Sequence, residues 1–450
     1  MKLYFIGIGG IGMSALVRYF LSKGDRVAGY DLTPSPLTKA LEEEGAFVHY
    51  EDNPALIPAD FRSLDTLVIY TPAVPKEHRE LNFFRAQGNR VIKRAEILGE
   101  LTRRERGLCV AGTHGKTTTS TLLAHLMRSS HLDCHAFLGG ISNNYRTNCL
   151  ISDHSDYAVI EADEFDRSFH HLSPYIAVIT SADPDHLDIY HTPEAYRASF
   201  EHFTSLISPE GALVMKVGSP VTPRLQEGTR LYTYGIGEQG DFRGTDIRID
   251  QGHLFFTWHY PALADGRPAG SLEVELGVPL LVNVENAIAA MAVAYLCGAS
   301  LEELSQGVAS FRGVHRRFDR VVDSPKHVLI DDYAHHPNEL APSIRSVRTL
   351  YPGKKILGIQ PHLYSRTQDF YREFAASLDE LDEVILLDIY PARELPIPGV
   401  DSGLIARQMK KHTDVPILSK AELLPYLRQQ SELADVILMV GAGEELRRRL

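Results

Sequence analysis

Basic residues are scarce relative to acidic ones in this chain: 46 Lys and Arg stand against 58 Asp and Glu, a formal net charge of -12. That balance argues against a nucleic-acid surface, so an anionic ligand must be held by local features such as helix N-termini and single Lys or Arg residues. Long hydrophobic runs are also missing. No segment approaches the roughly 20 uncharged apolar residues of a membrane helix, and because a strand-like segment begins at Lys2 no cleaved leader is expected. Cysteine is sparse: Cys109, Cys134, Cys149 and Cys297 lie far apart without metal-ligand spacing. They predict reduced, mostly core thiols in a cytoplasmic protein. Internal repeats and low-complexity tracts are absent. What is present is length, 450 residues at 44% hydrophobic, enough for about three domains that each bury a core.

The most informative stretch runs from Leu108 to Met127. A short apolar strand, Leu108–Ala111, is followed by Gly112, Thr113, His114, Gly115, Lys116, Thr117 and Thr118 and then by a helix-forming run. In such a turn, backbone N–H groups and the positive end of the helix face the phosphates of a nucleoside triphosphate. Lys116 is placed to neutralise charge between the outer two phosphates, and the Thr117 hydroxyl to ligate Mg²⁺. The position five before Gly115 is Val110 rather than glycine, so the loop is a tighter variant of the usual phosphate loop. The expected ligand is ATP.

A second glycine-rich turn opens the chain. Lys2–Ile6 reads as a buried strand, Gly7-Ile-Gly9-Gly10-Ile11-Gly12 as the turn, and Met13–Ser22 as a helix with Ala15, Leu16, Tyr19 and Phe20 on its apolar side. Asp31 follows a second strand, Arg26–Tyr30. This is a dinucleotide fingerprint, but the geometry serves any diphosphate attached to a ribose. It suits a nucleoside-diphosphate substrate, a nicotinamide or flavin cofactor, or a purely structural turn.

The rest of the chain alternates strands and helices. Strands are predicted at Leu3–Ile6, Val27–Tyr30, Leu67–Tyr70 and Val91–Ile92, then a polar linker at Thr102–Gly107. A central region carries the phosphate loop, Tyr157–Glu161 and Ile176–Thr180, with period-2 segments at Leu254–Tyr260 and Ser271–Leu276 that look like an antiparallel flank. A third alternation has strands at Val328–Ile330, Lys355–Ile359, Val384–Leu387 and Val436–Val440. The predicted architecture is α/β, three domains in series at residues 1–103, 104–313 and 314–450, with Rossmann-like outer domains and a central phosphate-loop domain.

Two acidic clusters follow central strands: Glu161-Ala-Asp163-Glu164-Phe-Asp166, and Asp183-Pro-Asp185-His186-Leu-Asp188. Strand ends are where α/β sheets place ligands. Because Mg²⁺ prefers carboxylate and phosphate oxygens and accepts an occasional imidazole, Thr117, Glu161 and His186 are the expected ligands of Mg²⁺ or Mn²⁺.

In order and spacing, Gly112–Thr118, Glu161–Glu164, Asp185–Asp188, Asn283-x-x-Asn286, Arg316-Arg-Phe318 and Asp331–Pro337 resemble the Mur ligase family, ATP-dependent amide ligases of peptidoglycan precursor synthesis. The resemblance covers essentially the whole chain. Gly7–Ser14, Gln360-Pro-His362-x-x-x-Arg366 and Asp388–Ser402 resemble the branch that adds L-alanine to UDP-N-acetylmuramate. It implies that the lactyl carboxylate is phosphorylated by ATP and the acyl phosphate is attacked by the alanine amine. It further implies that Gly9, Gly10, Ile11, Gly12, Asp31, Thr71 and Ala73 hold the UDP part, while Gly112–Thr118, Asn283, Asn286, Arg316, Tyr333, His335 and His336 touch ATP. Lys116, Glu161 and His186 would then serve the reaction, with His362 and Arg366 facing the amino acid. Small-molecule partners and a monomer or homodimer are expected, with no nucleic acid and no membrane.

Three departures from the family pattern stand out. Leu363 replaces an Arg often found after the histidine of Gln-Pro-His, Val282 replaces a His before the first Asn, and residues 187–203 contain no lysine to be carbamylated. The alternatives are a ligase that joins UDP-N-acetylmuramate to a ready-made tripeptide, or a nicotinamide- or nucleotide-binding protein built on the first loop.

Overall fold

A computed structural model describes residues 1–450 except 72, 251–252, 325–326, 352, 354, 360–362, 391–393, 431–434 and 442–450. The architecture is α/β throughout, with three sheets taken in chain order. Among the described residues no helix is long and apolar enough to cross a membrane.

The first sheet has five parallel strands in the order Phe47–His49, Arg26–Tyr30, Lys2–Ile6, Thr66–Tyr70, Val91–Lys93. Leu3, Tyr4, Phe5 and Ile6 are fully buried, as a strand covered by helices on both faces requires. From Lys2–Ile6 the chain builds outward on one side to Phe47–His49 and then crosses to Thr66–Tyr70 on the other, a reversal of strand order that opens a crevice at the C-terminal end of Lys2–Ile6. The turn Gly7–Gly10 leaves the strand at that point, and the helix begins at Ile11, two residues earlier than expected.

The second sheet has ten strands, with Arg106–Ala111 between the parallel strands Ile176–Ile179 and Tyr157–Glu161. The phosphate loop therefore leaves a central strand, and both acidic clusters leave its two neighbours on the same edge. Beyond Ala212–Lys216 and Arg230–Ile236 the sheet continues into Phe242–Asp250, His253–Tyr260 and Gly270–Leu276. Two residues separate the first pair of these neighbours, a link short enough only for antiparallel pairing. Leu254, Phe256 and Trp258 are fully buried while the residues between them are not, so the period-2 pattern marks a one-sided flank.

The third sheet runs Asp319–Asp323, Val328–Asp332, Val436–Val440, Lys355–Ile359, Glu383–Leu387, Ile417–Leu418. Its first pair is antiparallel and the rest parallel. The short edge strands Asp319–Asp323 and Ile417–Leu418 were not legible, since neither carries a buried apolar run.

Two compact units emerge: Met1–Ile247 with Phe255–Leu276 and Val284–Arg312, and Arg248–Leu254 with Gly277–Asn283 and Gly313–Leu450. The first and second sheets thus share one body. One core cluster contains Leu3, Phe5, Leu16 and Tyr19 together with Cys109, Phe137, Ile160 and Phe169. The buried Asn148 donates to the Ile11 carbonyl (2.5 Å) and Ser14 Oγ (2.9 Å), pinning the first helix to the second sheet.

The expected linker at Thr102–Gly107 contains a three-residue turn, 103–105, held between packed elements. Thr102 ends the helix Arg94–Thr102 and Arg106 already begins a strand. Thr102 Oγ1 is buried and accepts from Ser173 N, and a Cβ at Gly99 would lie 2.3 Å from the His171 carbonyl oxygen. Arg106 is a strand residue whose guanidinium lies over the Tyr157 and Tyr175 rings and pairs with Asp156.

Cys109, Cys134 and Cys149 are buried and Cys297 is half-buried, and all four are free thiols. Burial pushes the Cys149 and Cys297 thiols up to about 12, so they are inert core groups.

Buried imidazoles make the first unit acid-sensitive. His125, on the helix Lys116–Ser129, shares hydrogen bonds with Tyr145 OH (2.8 Å) and Ser310 Oγ (3.0 Å), and burial lowers it to about 4. His170 is lowered to about 4 by the same cause. A folded value below the unfolded one of roughly 6.5 means the unfolded chain binds the proton better. The contribution of His125 is therefore present above pH 6.5 and lost as pH falls toward 4, by up to about 3 kcal/mol. Denaturant unfolding of His125→Gln between pH 7.5 and 4 should show lower stability at neutral pH but a shallower acid slope. A slope equal to the parent's would refute the assignment.

Candidate active site

The phosphate loop is closed by its neighbours. Gly112 sits at φ 143°, and a Cβ there would lie 2.0 Å from Thr180 Oγ1, so only glycine lets the loop pass the next strand end. Thr180 Oγ1 donates to the His114 carbonyl (2.5 Å), His114 N donates to Ser181 Oγ (2.9 Å), and Thr113 Oγ1 meets the Asp183 carbonyl (2.7 Å) and Tyr196 OH (2.8 Å). Gly115 caps the helix Lys116–Ser129 in the left-handed region without a side-chain hydrogen bond. The first-turn N–H groups, Thr117 and Thr118 included, are left for an anion. Asn286, on the helix Leu281–Cys297, accepts from Thr119 Oγ1 (3.1 Å) and lies against Gly115; Asn283, one turn earlier, donates to the Val278 carbonyl (3.4 Å).

Lys116 folds back over this loop. Its Nζ donates to the carbonyls of Gly112 (2.5 Å) and Thr113 (3.4 Å) and to the Glu164 carboxylate (2.8 Å). Burial opposes its charge, but Glu164, Glu161 and Asp163 together outweigh that and hold the ammonium above its ordinary range. Glu161 ends the strand Tyr157–Glu161, its carboxyl against Gly139, where a Cβ would come within 2.2 Å of Oε2. The second cluster meets the first through His186, whose ring packs edge-on against Phe165 at 5.2 Å. Tyr190 OH donates to the Glu164 carbonyl (2.5 Å). The loop, Glu161–Asp166 and Asp183–His186 thus form one neighbourhood. Among the described residues no three His, Cys, Asp or Glu gather as a ready-made metal cage.

The first glycine loop is tied to the same neighbourhood by residues the sequence reading missed. Arg94 passes so close to Gly12 that a Cβ there would fall 1.8 Å from Nη1, and its Nη2 donates to Asp163 Oδ2 (3.2 Å). Lys93 reaches Asp166 (2.7 Å). No motif announces Arg94, which follows a short strand with no spacing rule; Glu164 stood within a quoted motif but carried no role. Of the expected loop residues, Gly9 N donates to Asp31 Oδ2 (2.7 Å), Gly10 caps the helix that starts at Ile11, and Thr71 packs against Gly7. Ala73 lies on an exposed turn.

In the second unit a separate group assembles. Arg316 donates to the Gly441 carbonyl (2.7 Å) and lies over the Tyr333 ring at 5.0 Å, while His335 Nδ1 meets the Tyr333 carbonyl at 2.8 Å. His336 caps the helix Pro337–Leu350 and packs on Phe370 at 4.7 Å, in the helix Tyr364–Leu378 that carries Arg366. Burial lowers His335, with the nearby Arg366 charge acting in the same sense and Glu339 opposing. His362 lies outside the described residues. Leu363 adopts φ 74°, with its N–H on the Tyr390 carbonyl (3.2 Å), a left-handed conformation that costs a branched side chain energy.

A parallel sheet with a glycine turn at its crevice, joined to a phosphate-loop sheet with carboxylates at the adjoining strand ends, defines a nucleotide-binding α/β enzyme. The chain belongs to the Mur ligase family. Residues 2–106, 110–294 and 316–443 match the models for the Mur ligase family catalytic domain, the Mur ligase middle domain and the Mur ligase glutamate ligase domain. A UDP-N-acetylmuramate--L-alanine ligase of Porphyromonas gingivalis is 62% identical over 98% of this chain and 96% of its own length. One from Parabacteroides distasonis is 59% identical over 98% and 94%. A solved UDP-N-acetylmuramate-alanine ligase, MurC, from Thermotoga maritima matches 100% of this chain and 97% of its own at 27% identity, with a TM-score of 0.81.

Gly112→Ala tests the loop geometry. The added methyl must displace Thr180 or the loop backbone, a strain of roughly 1–3 kcal/mol. Calorimetric melting should show that loss of stability, and nucleotide titration should show binding weakened by more than about tenfold.

Proposed function

We propose that this chain is the ATP-dependent ligase that joins L-alanine to the lactyl carboxylate of UDP-N-acetylmuramate in peptidoglycan precursor synthesis. The observation that carries the reading is full-length identity of 56–62% to four curated relatives bearing that activity's name. The pairing of Lys116 with the strand-end carboxylates supports the ATP part. A murein peptide ligase from Psychrobacter arcticus shares the fold at 22% identity and a TM-score of 0.70, which carries no argument for the tripeptide alternative.

In this reading residues 1–103 hold the UDP-sugar, 104–313 hold ATP, and 314–450 contribute the amino-acid site and further ATP contacts. A carboxylate forms an amide at useful rate only when its oxygen becomes a good leaving group. The lactyl carboxylate attacks the γ-phosphorus, ADP departs, the alanine amine adds to the acyl carbon and phosphate leaves. Two anions must meet in the first step, and Lys116 with the N–H groups of Gly115–Thr118 offsets the charge that gathers there. Thr117 and Glu161 supply hard oxygen donors and His186 an imidazole, a set that fits Mg²⁺ with the remaining positions left to phosphate and water. When bound, that ion supplies further charge neutralisation at the phosphoryl oxygens. Gly9–Gly12 and Asp31, beside Thr71 and Ala73, face the UDP; Asn283, Asn286, Arg316, Tyr333, His335 and His336 face ATP. Arg366 can pair both oxygens of the alanine carboxylate, as a lysine cannot, and His362 also faces the amino acid in this reading. The protein is expected to work in the cytoplasm, as a monomer or homodimer.

ADP release measured with UDP-N-acetylmuramate and a panel of amino acids tests the activity: L-alanine should lead, with glycine and L-serine behind by the roughly 1–3 kcal/mol that a small group in a pocket decides. Release with a tripeptide and not with alanine would favour the recycling ligase. Lys116→Ala should cost on the order of 3 kcal/mol or more in kcat/KM while calorimetry finds UDP-sugar binding intact. Gly139→Ala should displace the Glu161 carboxyl and raise the Mg²⁺ concentration for half-maximal activity by about tenfold, with a melting temperature near the parent's.

A further inference from the structure

Lys116 has three N–H groups and all three are spent inside the protein, on the Gly112 carbonyl, the Thr113 carbonyl and Glu164. Two of these acceptors are neutral and belong to the loop itself. The third is a carboxylate on a different strand end, 1% exposed, with its backbone carbonyl bound by the buried Tyr190 hydroxyl. Burial pushes the Glu164 carboxyl up and the Lys116 ammonium opposes that shift, and the 2.8 Å ion pair between them sets a carboxylate where the lysine of this loop meets its ligand. We infer that Glu164 is a positioning residue that stands in for the γ-phosphate, holding Lys116 across the loop until ATP arrives and then yielding it. This rests on the ATP reading above.

The electrostatics separate the two nucleotides. ADP offers Lys116 only a β-phosphate, and the ammonium can meet it by releasing the long 3.4 Å contact to Thr113 while keeping Glu164. A γ-phosphate brings a second anion toward the same nitrogen, and it must displace the carboxylate or share the lysine against like-charge repulsion. Glu164 thus weakens ATP binding more than ADP binding. It also keeps a buried ammonium paired, since leaving one alone in this interior is costly. Because the charge that opposes ATP in the ground state is relieved as the γ-phosphoryl group leaves for the carboxylate, the residue favours turnover over tight binding.

Calorimetric titration of parent, E164Q and E164D with ADP and with a non-hydrolysable ATP analogue, in the presence of Mg²⁺, tests this. Amide substitution preserves the shape and removes the competing charge. E164Q should bind the ATP analogue at least about fivefold tighter, a loss of one charge-assisted competitor, with ADP affinity changed by less than about twofold. Steady-state assays of the same variant should show a lower KM for ATP together with a lower kcat. Should E164Q fail to fold, E164D, which keeps the charge but shortens its reach, should shift the ATP-to-ADP ratio in the same direction by about twofold or more. Equal changes for both nucleotides, or a parental ratio in every folded variant, would overturn the inference as a purely structural role. A parent protein that binds neither nucleotide would overturn the ATP reading, and this inference with it.

Discussion

The ion pair between Lys116 and Glu164 is the contact on which the site is organised. An ammonium buried among backbone carbonyls would be strongly disfavoured alone, and a carboxylate at 1% exposure equally so. Their pairing lets a phosphate loop and an acidic strand end lie against each other. The neighbouring Asp163 and Asp166 repeat the arrangement with Arg94 and Lys93. One acidic segment thus holds cations from the loop of the second sheet and from the segment beside the loop of the first.

That arrangement also reconciles a protein of net charge -12 with anionic substrates. The overall field repels phosphate, and attraction comes from features with short range: helix N-termini at Gly10 and Gly115 that no side chain caps, and single cations at the strand ends. Short range demands accurate placement, and the close approaches at Gly112 and Gly12 supply it. A methyl group at Gly112 would meet the Ser181 backbone as well as Thr180, and one at Gly12 would push the Arg94 guanidinium aside.

The weld between the first two sheets has the same consequence at larger scale. A continuous core and the buried Asn148 bridge make one body of the two. The separation of the two glycine loops is then set by packing rather than by a linker. A diphosphate-bearing substrate in the first loop would present its far end at a fixed place relative to the second, which is what a reaction between two bound anions needs.

Local chemistry determined much of this from sequence alone. Apolar runs flanked by glycine turns marked Lys2–Ile6 and Leu108–Ala111 as buried strands, and the spacing of Gly112, Gly115, Lys116 and Thr117 named a phosphate loop, because those preferences act between residues a few positions apart. The ordered motifs named the family. Tertiary structure alone decided that Thr102 and Arg106 are packed on either side of a short turn, that Arg94 reaches Gly12, and that Glu164 is the partner of Lys116. Each of these joins residues distant in the chain through burial and close approach. A side chain's charge is written in the sequence, but the partner that charge finds depends on which strands lie side by side.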